Sequence, residues 1–182
     1  MTLIVLDPVQ APLADQAAAL SPAPRLATLT GKTLGLWNNQ KLNAAKLLEL
    51  MRIELERHFV FDVVRGIYDP GNLMAADGWG PVDQCDVVIL ANGDCGACST
   101  SGIVNAIELE KRGIPTLLVS TPPFTEAVKT SAKLRGMATI RWAIVDHPVG
   151  SLGEAELHTR AVAAAAQFHE LMLQSSVRRA AS

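Results

Sequence analysis

Asp86-Val87-Val88-Ile89-Leu90-Ala91, followed by Asn92-Gly93-Asp94-Cys95-Gly96-Ala97-Cys98-Ser99-Thr100-Ser101-Gly102, is the stretch that decides the fold. Its first part is a near-continuous apolar run of strand length. A strand without polar alternation is covered on both faces, as in a parallel sheet. Its second part is a loop of small residues. Residues 103–112 then read as a helix stopped at Gly113. Upstream, residues 32–37 form an apolar strand that ends at Asn38-Asn39. Residues 42–57 form a helix with Ala44, Leu47, Leu48, Met51 and Leu55 at helical spacing. Residues 59–64 are β-branched and aromatic and read as a strand, and residues 66–81 as a loop with room for one helical turn. Downstream come a strand over 114–120 closed by Pro122-Pro123, a helix over 125–135 stopped at Gly136, a strand over 138–145, and a long Ala-rich helix over 153–174.

This is a β-α repetition of about five units. Right-handed crossovers place helices on both sides of such a sheet. The expected architecture is a three-layer α/β/α fold with a mainly parallel five-stranded sheet, flavodoxin-like or Rossmann-like, with flavodoxin-like strand order 2-1-3-4-5. Ligands in such folds bind beyond the carboxyl ends of the strands where strand order reverses, here between the first and third strands. The first strand ends at Asn38-Asn39 and the third at Asn92-Gly93-Asp94-Cys95, so the two loops carrying most of the polar residues meet at the predicted site.

A chain of 182 residues fits one domain, 1–182. Residues 1–30 are rich in Ala and Pro and read as an extended arm laid over a surface, and residues 175–182 as a flexible tail. Hydrophobic residues make up 49% and charged residues 19%, which places the chain among globular proteins. With a net charge of -2 and 4% aromatics, it has neither the basic face nor the stacking residues that nucleic acid requires. No apolar run reaches the roughly 20 residues that span a bilayer, so no membrane partner is expected. The first residues have no basic n-region, and three cysteines is an odd count; a reducing cytoplasm is the expected location.

Cys95 and Cys98 form a C-x-x-C motif between a strand and a helix. Unpaired N–H groups and the dipole at a helix N-terminus favour thiolate over thiol, lowering the pKa and raising nucleophilicity. Gly93 and Gly96 let a substrate approach the backbone closely. Ser99, Thr100 and Ser101 can cap a helix starting near Ser101, or donate to an oxyanion. Three readings stay open: a redox dithiol, a single nucleophilic cysteine, and a metal site. The third is the weakest, because a closed zinc site needs four ligands and no second such motif exists. The bland alternative is two inert core cysteines, which is how Cys85 reads. G-x-G-x-x-G and the P-loop lysine are both absent, so no nucleotide cofactor is expected.

His147, in Asp146-His147-Pro148, ends the last strand on the same rim and is the candidate acid/base. Asn38 and Asn39 can orient a carboxylate or carbonyl, or serve only turn and capping chemistry. Asp94 can orient a ligand or cap its loop, and its charge opposes a thiolate at Cys95. Thr121 reads as a pocket wall and Phe124 as an apolar lid. His58, His158 and His169 read as solvated, and Trp37 and Trp79 as core.

The run Gly93-Asp94-Cys95-Gly96-Ala97-Cys98-Ser99, with Asn105-Ala106-Ile107-Glu108-Leu109-Glu110-Lys111-Arg112-Gly113-Ile114-Pro115-Thr116, resembles the UGSC family. These are selenoprotein-related, thiol-disulfide oxidoreductase-like proteins with a selenocysteine-Gly-Ser-Cys motif. The resemblance runs from about Leu29 to Pro148. It implies that Cys95 stands in the selenocysteine's place, as the attacking group, and Cys98 in that of the motif cysteine. Ala97 replaces the motif serine and removes its hydroxyl. The expected function is a cysteine-dependent enzyme acting on a small molecule, first by thiol–disulfide chemistry. The alternatives are covalent cysteine catalysis without net redox change, as in a lyase or hydrolase, and a non-catalytic ligand-binding subunit. A homodimer completing the site belongs to the same expectation.

Overall fold

The computed structural model describes residues 19–69 and 79–174. Expectations for residues 1–18 and 175–182, and for most of the 66–81 segment, lie outside the described residues. The sheet is formed by β1 (Thr33–Asn38), β2 (Asp62–Ile67), β3 (Val87–Gly93), β4 (Thr116–Ser120) and β5 (Ala143–Ile144). They are all parallel, in the order β2-β1-β3-β4-β5. The helices are α1 (Ala44–Glu56), α2 (Gly96–Lys111), α3 (Thr125–Leu134) and α4 (Glu154–Met172). This is the three-layer α/β arrangement and strand order expected.

The alternation of side chains along a strand explains the two cores. Val87, Ile89 and Ala91 of β3 join Leu34, Leu36, Leu117 and Val119 under α1 and α4, where Leu47, Met51, Leu157 and Phe168 are fully buried. Val88 and Leu90 face the other way with Leu118, against Ile103 and Ile107 of α2 and Val128 of α3. Each buried Val, Leu, Ile, Met or Phe among them contributes roughly 1.5–3 kcal/mol of burial. All seven residues of β3 are buried, which accounts for its unbroken apolar sequence.

Three elements depart from their expected bounds by three residues or more. The strand expected over 59–64 begins at Asp62, because Phe59 closes α1 with its N–H on the Leu55 carbonyl (3.1 Å) and packs in the first core. The strand expected over 138–145 shrinks to Ala143–Ile144. A turn from Met137 to Ile140 buries both of those side chains under α3, and Gln167 of α4 takes the open edge. Its amide accepts the Ile144 N–H (2.9 Å) and donates to the Ile144 carbonyl (2.7 Å), sealing an edge that would otherwise be free to pair. The helix expected over 103–112 begins seven residues earlier, at Gly96.

The described part of the arm is also more deeply built in than a surface cover. Leu29 is fully buried in the first core, and Ala23 is buried. Leu26 bridges Leu173 at the end of α4. The anchor is Glu110, which is buried on α2: it accepts the Ala23 N–H (2.6 Å), the Thr116 N–H (2.9 Å) and the Arg25 guanidinium (2.7 Å). Glu110→Ala leaves these donors without their acceptor and is expected to cost about 3 kcal/mol, read as a lower urea midpoint with an unchanged slope.

Candidate functional site

Strand order reverses between β1 and β3, and Asn38 and Ala91 lie opposite each other at their carboxyl ends. The loop after β3 turns at once into α2. Cys95 is the N-cap residue of α2, and its sulfur accepts the Cys98 N–H at 3.2 Å, the role an Ser or Asp oxygen usually has. The expected capping by Ser99, Thr100 or Ser101 is therefore replaced by the motif itself, and all three sit inside the helix. The small residues of the first two turns let α2 press against the sheet: a Cβ on Gly102 would lie 2.6 Å from Leu118 Cδ1.

Cys95 is exposed and Cys98 buried, with the two sulfurs 2.6 Å apart. Burial pushes the Cys98 thiol up to about 12, and the hydrogen bond and charge of Cys95 add to the rise; Asp94 raises it further and Lys41 opposes it. The expectation that the helix N-terminus lowers a thiol pKa thus fails for Cys98, where burial outweighs the dipole. Cys85 is a separate buried thiol, pushed up to about 11 chiefly by burial, and it packs in the second core.

A knot of hydroxyls fixes the loop from below. The Gly93 carbonyl accepts from Ser99 Oγ (2.8 Å), Ser120 Oγ (3.2 Å) and Thr121 Oγ1 (3.2 Å), and the two serine hydroxyls meet at 3.0 Å. Ser99 and Thr121, expected to face substrate, are instead buried and hold the backbone. From above, Asp94 Oδ1 accepts the Val149 N–H (2.9 Å) and Oδ2 the Gly150 N–H (2.8 Å). Asp94 Oδ1 also lies 3.0 Å from His147 Nδ1, which is 3.3 Å from Thr121 Oγ1. Asp94 therefore caps its neighbouring loop, and His147 is oriented through Nδ1, as a carboxylate orients an acid/base imidazole. The His147 ring meets Phe124 edge-on at 5.9 Å. Phe124 also lies over the first turn of α2, where a Cβ on Gly96 would be 3.9 Å from its ring.

The asparagines serve the turn chemistry. Asn38 Oδ1 accepts the Gln40 N–H (2.9 Å). Buried Asn39 donates to the Asn92 carbonyl (2.8 Å) and accepts the Asn92 N–H (3.3 Å), joining the loops after β1 and β3. Asn43, which sequence reasoning missed, donates from Nδ2 to the carbonyls of Val149 (2.9 Å), Gly150 (3.2 Å) and Leu152 (3.0 Å). Its φ of 61° is a left-handed conformation that Asn tolerates better than most residues.

A cavity of about 220 Å³ opens beside the cysteines. Of the predicted residues, Asp94, Cys95 and Cys98 line it; Asn38, Asn39, Ser99, Thr100, Thr121, Phe124 and His147 do not. Its remaining wall is Lys41, Leu42, Asn92 and Gly150. Tyr68, also missed, is buried and stacks on Trp79 at 5.3 Å, which stacks on Trp37 at 6.4 Å. Burial, and then the Cys98 charge, keep its phenol protonated. The only sequence signal for it was its place just after a strand at the rim.

Of the other histidines read as solvated, His158 pairs with Glu54 (3.1 Å), and His169 packs edge-on against His58 (5.3 Å) and lies 5.2 Å from Phe59. Among the described residues, no group of three or more His, Cys, Asp or Glu is placed to hold a metal ion, and no helix is long and apolar enough to cross a membrane.

With the motif placed as N-cap and third residue of a helix at the switch point, the comparison with known families has a geometric meaning. The sequence model of the UGSC family matches residues 4–174. The chain belongs to the UGSC family. No curated protein matches it. In this UGSC member Cys95 carries the exposed capping sulfur and Cys98 the buried thiol, and Ala97 between them is exposed.

Two outcomes follow from this geometry. A Cβ on Gly93 would fall 2.7 Å from both Ser99 Oγ and Ser120 Oγ. Gly93→Ala is therefore expected to lose about 1–3 kcal/mol in denaturant unfolding. A brief pulse of iodoacetamide at pH 8 should label Cys95 and spare Cys85 and Cys98, whose raised pKa values leave little thiolate. Their labelling should rise only as pH approaches about 11 for Cys85 and about 12 for Cys98, read by peptide mass mapping.

Proposed function

We propose that this UGSC-family protein is a cysteine-dependent enzyme that exchanges thiols and disulfides on a small molecule. The observation that carries this reading is the asymmetric pair: an exposed sulfur at a helix N-cap, in contact with a buried cysteine held as a thiol. Cys95, as thiolate, attacks one sulfur of a disulfide; its new S–S bond forms as the substrate S–S bond breaks, and the leaving thiolate takes a proton from solvent. Once Cys95 is bound in the mixed disulfide its charge is gone, and with it two of the causes that raise Cys98. Cys98 then loses its proton and attacks Cys95 Sγ, expelling the second substrate thiolate. Substrate gains two electrons and the Cys95–Cys98 pair loses two; two equivalents of a thiol reductant return the pair to the dithiol. A reducing cytoplasm supplies such thiols, and a second copy of the chain covering exposed Leu42 would close the open side of the cavity as a homodimer.

One observation favours covalent cysteine catalysis without net redox change. His147 is oriented by Asp94 through Nδ1, and among the described residues its Nε2 has no partner, so it is available for proton transfer. The two readings separate on Cys98. With bis(2-hydroxyethyl) disulfide as substrate, Cys98→Ser is expected to accumulate a stable mixed disulfide on Cys95, seen by intact mass. Cys95→Ser should form none and lose at least 100-fold in exchange rate. Turnover of Cys98→Ser at the wild-type rate would contradict the redox reading.

A further inference from the structure

The cavity beside Cys95 carries two unused recognition groups. Lys41 is exposed on its wall, and among the described residues no carboxylate pairs with its ammonium group. The one acidic group on the wall, Asp94, has both oxygens engaged by the Val149 and Gly150 N–H groups and by His147, and no ion pair joins it to Lys41 among the described residues. Asn92 is 2% exposed; its Nδ2 donates to the Leu42 carbonyl (3.2 Å), while its Oδ1 is shielded from water and has no partner among the described residues. A buried acceptor without a donor is costly to leave so, and a donor on a bound molecule relieves it. The volume, about 220 Å³, is below the roughly 300 Å³ at which drug-sized ligand sites begin.

Taken with the thiol–disulfide reading, on which it rests, we infer that the substrate is the disulfide of a small amino-acid thiol. Its carboxylate pairs with Lys41, its sulfur meets Cys95, and a turn of the Asn92 side chain toward the cavity brings Oδ1 to its amine. The anion and the donor on one small carbon frame match a cation and an acceptor on one small wall. Leu42, 77% exposed at the same wall, offers the apolar surface for the intervening carbon atoms. The reaction is the exchange written above: Cys95 forms the mixed disulfide, the first amino-acid thiol leaves, and Cys98 releases the second, so the pair is oxidised as the substrate is reduced.

The test compares four disulfides as probes on the full chain: cystine (carboxylate and amine), 3,3'-dithiodipropionate (carboxylate only), cystamine (amine only) and bis(2-hydroxyethyl) disulfide (neither). Formation of the Cys95 adduct is followed by mass spectrometry. Each rate is divided by that of the same disulfide with a free model thiol, which removes intrinsic reactivity. Cystine is expected to exceed the neutral disulfide by about tenfold or more, the effect of one charge-assisted hydrogen bond, with dithiodipropionate between them and cystamine at or below the neutral probe. In Lys41→Met the ratio of cystine to neutral disulfide should collapse toward one, and in Lys41→Arg it should be largely kept, with circular dichroism showing both folded. Equal normalised rates for all four probes, or a ratio untouched in Lys41→Met, would overturn the substrate class while leaving the redox reading standing. Absence of a Cys95 adduct with every probe, the neutral one included, would overturn both.

Discussion

The Gly93 carbonyl is the point on which the rim of the sheet depends. It receives hydroxyls from α2 through Ser99, from β4 through Ser120, and from the start of the next loop through Thr121. One backbone oxygen thereby fixes the chain between the central strand and the helix that carries both cysteines. Only a residue without a side chain fits, since the same hydroxyls occupy the space of a Cβ. With the strand end held from below, Asp94 can hold the 147–150 loop from above, and Asn43 locks the opposite side of that loop to the start of α1. The interactions are mostly side chain to backbone, so the rim is set by amide and hydroxyl geometry more than by apolar packing.

That rigidity sets the chemistry of the two sulfurs. They lie only three residues apart in sequence, yet one turn of helix carries Cys98 inward and leaves Cys95 at the surface. Burial then favours the neutral thiol at Cys98, and the neighbouring sulfur reinforces it. In the proposed exchange, division of labour follows from position: the exposed sulfur attacks and the buried thiol keeps its proton until the first sulfur is bound. A dithiol with two equivalent exposed cysteines would lack that order of events.

The sheet was legible in the sequence because its signal is apolar continuity, and β1, β3 and β4 are covered on both faces. The repeated β-α unit gave a parallel sheet; strand order was taken from flavodoxin-like folds, and the switch point followed from that order. The boundaries failed where another residue replaced the usual signal. Cys95 caps α2 in place of a serine, and the Gly-Ala-Cys-Ser-Thr-Ser run is helical although it holds few strong helix formers. Gln167, far away on α4, seals the edge of β5, a contact no local pattern announces. At the site, Cys95, Cys98 and Asp94 were visible as a motif. Asn92 and Asn43 act through distant backbone carbonyls, and Lys41 matters only because the fold leaves it beside the cysteines; such roles depend on tertiary placement and have no sequence period.

The proposed exchange requires that Cys95 and Cys98 form one reversible redox pair. The direct test is equilibration of the protein in glutathione buffers of graded potential, acid quenching, and alkylation read by peptide mass. A single two-electron transition is expected, in which Cys95 and Cys98 lose their thiols together in one intramolecular disulfide while Cys85 stays reduced. Oxidation of Cys95 without loss of the Cys98 thiol at every potential, ending in a stable glutathione adduct, would contradict it.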